Sequence, residues 1–105
     1  MNSDTKHPSA DVMARNAAKA EAMLKQLANA NRLMVLCNLI SCEKSVGELA
    51  DIVDLSQSAL SQHLAKLRES GLVSSEKRGQ MVYYRISSME AQAILSTLYL
   101  IYCKE

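Results

Sequence analysis

SVGELADIVDLSQSALSQHLAKLRESGLV, residues 45 to 73, decides the fold. Ser45 followed by Glu48 is a capping box, in which each residue's side chain satisfies a backbone N–H of the other at a helix start. Val46, Leu49, Ile52 and Val53 recur at helical spacing and form one apolar face. Asp54 and Leu55 make a short turn. Ser56 caps the next helix, whose inward stripe is Leu60, Leu64 and Leu67. Gly71 stands where a helix is expected to end in a residue of positive φ. Two short helices joined by a tight turn are a helix-turn-helix.

Beyond Gly71 the period changes from that of a helix to that of a strand. In LVSSEKRGQMVYYRIS, Val82, Tyr84 and Ile86 alternate with Met81, Tyr83 and Arg85. The polar turn Lys77-Arg78-Gly79-Gln80 between two such runs predicts a β-hairpin. A hairpin directly after a recognition helix is the wing of a winged helix. Ser88 opens a last helix reaching about Cys103, apolar at Ala91, Ile94, Leu95, Leu98, Ile101 and Tyr102, with Tyr99 and Leu100 on its other faces. A helix apolar nearly all round must be covered on more than one side.

Toward the N-terminus, residues 1–10 read as a flexible tail containing the only proline, Pro8. A first helix follows, capped by Asp11 and striped by Met13, Ala17, Ala20, Leu24 and Leu27. A second runs from Asn29 to about Ile40 and buries Leu33, Leu36, Cys37 and Ile40; the polar stretch Ser41 to Lys44 interrupts the pattern. The predicted architecture is mainly α with a small β-hairpin: one winged helix-turn-helix domain over residues 11–105.

Composition bounds the function. The chain of 105 residues is the size of one small domain, and 49% apolar residues suffice for a packed core. No disulfide framework follows from three cysteines, and a core this small is marginal for a monomer. That favours a homodimer, and the first and last helices supply its seam through Met13, Ala17, Leu24, Ile94, Leu95, Leu98, Ile101 and Tyr102. No Phe or Trp and only four Tyr argue against a base-stacking platform for single strands. Gly47, Gly71 and Gly79 are too scattered for a phosphate loop. No stretch is long and apolar enough for a membrane span and the first residues lack a signal-peptide core, so the expected compartment is the cytoplasm, without membrane partners. The two histidines, His7 and His63, join no nucleophilic set, so no enzyme and no catalytic residue is predicted, and no cofactor.

The net charge of +1 is uneven. Residues 56–85 carry five basic groups (Lys66, Arg68, Lys77, Arg78, Arg85) against Glu69 and Glu76, a net of +3, while both flanks are slightly acidic. On a helix-turn-helix and wing this suits contact with duplex phosphates. Gln57, Ser58, Ser61, Gln62 and Ala65 lie opposite the leucine stripe, where Gln and Ser can read base edges. His63, beside Leu64, reaches a phosphate or sits half-buried. Lys66 and Arg68 on the helix and Lys77 and Arg78 on the wing are the basic contacts. The competing reading is a winged-helix interaction module whose charged face is merely solvated.

LSQSALSQHLAKLRESGLV, with a charged wing ending in VYYRIS, resembles the ArsR-type winged-helix repressors over roughly residues 17–105. The resemblance implies a homodimer that binds an imperfect inverted repeat of double-stranded DNA and responds to a small signal, with half-sites one helical turn apart. Arsenic- and cadmium-type members place paired thiols where this chain has Ser45, Val46 and Gly47. Zinc-sensing members use His and carboxylates on the last helix, which here holds only Glu90 and Glu105. Neither metal site is present, so no metal is expected; a non-standard thiol site for a metal is the alternative. The pair Cys37 in RLMVLCNLI and Cys103 in LYLIYCKE resembles the sulfur- and redox-sensing branch of the family. That resemblance implies a dithiol sensor, with a reactive sulfur species or an oxidant as inducer. On its residues alone, Cys37 also fits a small buried core side chain. Cys42, about 140° round a helix from Cys37, departs from the branch's pattern.

Overall fold

A computed structural model describes residues 9–103; the tail expected over 1–10 lies outside them apart from Ser9 and Ala10. Its elements are α1 (Ala10–Leu27), α2 (Ala30–Cys37), β1 (Lys44–Ser45), α3 (Val46–Ile52), α4 (Gln57–Glu69), β2 (Val73–Arg78), β3 (Met81–Ile86) and α5 (Met89–Leu98), then a π-helical turn, Tyr99–Cys103. The winged helix-turn-helix is present, with α3 and α4 as its helices.

Hydroxyl and amide caps set the helix starts. Ser9, not Asp11, caps α1, its Oγ accepting from Val12 N at 3.2 Å. Asp11 lies in the first turn, where its charge favours the positive helix end. Asn29 caps α2, Ser45 and Glu48 close the capping box of α3, Ser56 caps α4 and Ser88 caps α5. Helix α4 ends as its glycine requires. Gly71 has φ +78°, its N–H bonds Arg68 O, and Leu72 N–H bonds Leu67 O, the paired bonds of a Schellman motif.

The leucine stripe of α4 is the centre of the core. Leu60, Leu64 and Leu67 are buried against Leu36 and Val35 of α2, Leu49 of α3, Ala91 and Leu95 of α5, and Tyr84 of the wing. Leu95, expected at the dimer seam, is fully buried within the chain. On a helix apolar nearly all round it occupies the face turned inward against α2 and β3, so it cannot also meet a second copy.

Three more boundaries differ from expectation. Helix α2 stops at Cys37 because Asn38 bonds back onto Met34 O and the next N–H groups make tighter turns. The break at Ser41–Lys44 leads into a strand: β1 pairs antiparallel with β3, Lys44 opposite Tyr84 and Ser45 opposite Tyr83, giving a three-stranded sheet of order β1-β3-β2. Two residues are too few to show alternation. The wing turn is only Gly79-Gln80, since Arg78 already pairs with Met81; Gly79 at φ +62° with no positive φ at Gln80 fits a type II′ turn.

Helix α1 is the outlier. Of its 18 residues only Leu27 is buried. Met13 and Leu24 are about half exposed, at 52% and 51%, and among the described residues nothing covers them. The Cα radius of gyration is 16.3 Å, against about 13 Å for a compact chain of this length.

Candidate nucleic-acid interface and thiol cleft

Because Leu60, Leu64 and Leu67 turn inward, the opposite face of α4 turns out. Gln57, Ser58, Ser61, Gln62, Lys66 and Arg68 are all exposed along it, while His63 is half-buried at its edge. Gln57 and Ser61 also line a groove of about 510 Å³ with Gln80, Met81 and Val82 of the wing, so the start of α4 and the wing tip form one continuous surface. Arg68 Nη1 donates to Ser75 Oγ at 3.3 Å, tying the far end of α4 to β2.

Lys77 and Arg78 are exposed on β2, but Arg78 is not a lone cation. Its Nη1 donates to Glu43 Oε2 at 2.6 Å, and its Nη2 donates to Glu43 Oε1 at 2.9 Å and to Glu76 Oε1 at 2.8 Å. The guanidinium also stacks over the Tyr83 ring, 4.6 Å from its centroid. The Arg78 hydrogen bonds hold both carboxyls below the ordinary glutamate range. A charge count by segment misses Glu43, because it lies 35 residues from Arg78 in the chain and only the β1–β3 pairing brings it to the wing.

Cys37 ends α2 and Cys103 ends the π-helical turn. Both line one apolar cleft of about 190 Å³, closed by Leu33, Leu98 and Tyr102. Cys37 is half-buried and Cys103 exposed, and neither is in a disulfide. Burial pushes the Cys37 thiol above its ordinary value; like-charge repulsion from Cys103 and a hydrogen bond with it add to the rise. Gln92 of α5 fixes the helix pair from the other side, its Nε2 donating to Ile40 O at 3.3 Å. Cys42 is exposed and outside the cleft, with Lys44 Nζ 3.2 Å from its sulfur. Among the described residues, no three His, Cys, Asp or Glu side chains gather as a metal-binding group, and no helix is long and apolar enough to cross a membrane.

The raised value of Cys37 has a direct chemical consequence. The thiolate, not the thiol, is alkylated, so at pH 8 Cys37 is expected to react with iodoacetamide more slowly than the exposed Cys103. Its rate should still be climbing above pH 9, the ordinary value for the group. Peptide mass spectrometry over time checks this; equal rates for both thiols would remove the contrast between them.

A second surface is apolar. Leu100, Ile101 and Tyr102 of the π-helical turn are 60%, 64% and 78% exposed, and Met13, Ala17 and Leu24 of α1 are likewise uncovered. Ile94 and Leu98 are partly buried, with Ile94 packed on the core. Neither Glu43 nor β1 was recognisable as part of a site; the polar exit segment Ser41–Lys44 was the one signal, and its residue types alone do not say what it touches.

Known proteins share this fold. A model of the bacterial regulatory proteins of the arsR family matches residues 24–75. The chain is 51% identical over 92 residues to the transcriptional activator HlyU of Vibrio cholerae, covering 88% of this chain and 85% of that protein. The solved structure of reduced Vibrio cholerae HlyU superposes with a TM-score of 0.85, at 51% identity over 88% of this chain and 97% of that one. The transcriptional repressor BigR of Xylella fastidiosa superposes with a TM-score of 0.82, at 35% identity over 93% and 100% of the two chains.

Proposed function

The chain belongs to the ArsR family of bacterial regulatory proteins, DNA-binding transcription regulators and not enzymes, and from that membership we propose that it is a homodimeric, cytoplasmic operator-binding regulator switched by reactive sulfur species or oxidants through Cys37 and Cys103. The observation that carries the switch is the shared apolar cleft of the two thiols, at the junction of α2 with the turn after α5. Its similarity to a relative described in the reduced form points the same way.

The chemistry is a two-electron oxidation of the dithiol. A persulfide donor RSSH passes its outer sulfur to the Cys103 thiolate and leaves as RSH. The Cys37 thiolate then attacks the Cys103 sulfur, closing the Cys37–Cys103 disulfide and expelling hydrosulfide. A peroxide reaches the same product through a sulfenic acid and water. The bridge joins α2, which supports the core under α4, to the turn that carries the apolar seam. It acts on DNA affinity only by favouring one arrangement of the two copies over another.

The DNA contacts divide by role. Gln57, Ser58, Ser61 and Gln62, at the exposed start of α4, read base edges; His63, Lys66, Arg68, Lys77 and Arg78 meet phosphates. The target is an imperfect inverted repeat, matching the two-fold axis of the dimer. A duplex selected from a random pool by the reduced protein tests both roles by fluorescence anisotropy across a salt series. Gln62→Ala is expected to lose about tenfold on the selected duplex and little on random DNA. Lys66→Ala should weaken both alike and flatten the salt slope by about one per protomer. Equal losses on both duplexes for Gln62→Ala would remove its reading role.

A further inference from the structure

We propose that Glu43 sets how strongly the wing engages DNA, by holding Arg78 in the free protein until a backbone phosphate displaces it. The inference rests on the DNA-binding reading of this face. It begins from the position of Glu43, in the segment between α2 and β1 and outside the helix-turn-helix and wing. Pairing of Lys44 with Tyr84 lays that segment along the open edge of β3, and Arg78 folds back over Tyr83 to reach it. The contact is two-pronged, at 2.6 and 2.9 Å, and a third bond to Glu76 leaves Nη2 without a free donor.

The charge balance follows. Glu43 and Glu76 feel both Arg78 and Arg85. Two carboxylates beside two guanidinium groups have no net charge, so an approaching phosphate finds no excess positive potential there. Arg–carboxylate and Arg–phosphate bonding use the same fork of N–H groups, so one can replace the other without rebuilding the wing. The pairs are also solvent-exposed, at 43% for Arg78 against 35% and 53% for the two carboxylates. Exposed pairs of this kind are weakly held, so exchange for a phosphate is feasible. Glu43 thereby weakens binding to any duplex, since the wing recovers Arg78 only when a backbone phosphate displaces the carboxylate.

Glu43→Gln removes the charge and keeps the shape. The probe is a random-sequence 30-base-pair duplex, since a phosphate contact carries no sequence information. Glu43→Gln is expected to bind it about three- to tenfold more tightly than the wild type near 100 mM salt, with a salt slope steeper by about one per protomer. In an Arg78→Ala background the same substitution should change neither quantity. An unchanged or weaker Glu43→Gln affinity would overturn the proposal. So would a gain that survives in Arg78→Ala, which would mark a general loss of negative charge. If the wild type shows no salt-sensitive duplex binding, the DNA-binding reading fails as well; if it binds and Glu43→Gln gains nothing, only the role of Glu43 fails. Thermal melts of each variant confirm that the fold is kept.

Discussion

Cys103→Ser is expected to abolish release of the selected duplex by a persulfide donor while leaving reduced binding within about twofold of wild type. The small effect on reduced binding follows from exposure: the side chain lies at the end of the π-helical turn, and a hydroxyl there disturbs no core contact. The large effect on release follows from the chemistry. Serine accepts no sulfane sulfur, so no persulfide forms for Cys37 to attack. Cys37→Ser should fail differently. Cys103 still takes up sulfur, but no bridge closes, and mass spectrometry should show an added 32 Da per sulfur on Cys103 rather than the 2 Da loss of a disulfide. Cys42→Ser should respond like the wild type, because Cys42 lies outside the cleft. Full release by either Cys37→Ser or Cys103→Ser would refute the dithiol switch.

Leu24→Glu carries the other large effect, a folded monomer whose operator affinity falls at least about 100-fold. Leu24 is 51% exposed in the isolated chain and lines a shallow apolar groove on α1 with Ala17, Ala20 and Ala28. The substitution therefore leaves the core of one copy intact. Across a two-fold seam, however, each copy contributes the new carboxylate, and burying unpaired charges there costs several kcal/mol. Two half-sites bound by linked copies gain affinity of about 10²–10⁴ over either alone, which a monomer forgoes. Sedimentation velocity reads the mass and circular dichroism the fold. A dimer that persists at micromolar concentration with Leu24→Glu would exclude α1 from the seam. Ile101→Glu, at 64% exposure on the π-helical turn, tests the other half of the same surface.

These predictions draw unequally on what could be read before the fold was known. The helix-turn-helix was legible because its determinants are local. A capping box, a leucine every third or fourth residue and a terminal glycine act within a few residues of one another, and each has the geometry it implies. The exposed face of α4 followed from its buried one by helical period alone. The proposed seam was half legible. An apolar helix announces that it must be covered, but not which side its own chain covers, and Leu95 went to the core while Ile101 and Tyr102 stayed outside.

The amino-acid sequence by itself determined the winged helix-turn-helix, the exposed face of α4 and which three side chains carry thiols. Each of these depends on periodicity, capping or residue identity, which operate at short range along the chain. Only the tertiary structure decided that Cys37 and Cys103 share a cleft from which Cys42 is absent, and that Arg78 is held by Glu43 rather than standing free. Those relations join residues 66 and 35 positions apart. Neither a helical nor a strand period reaches that far. The packing of α2 against α5 and the pairing of a two-residue strand with the wing set them.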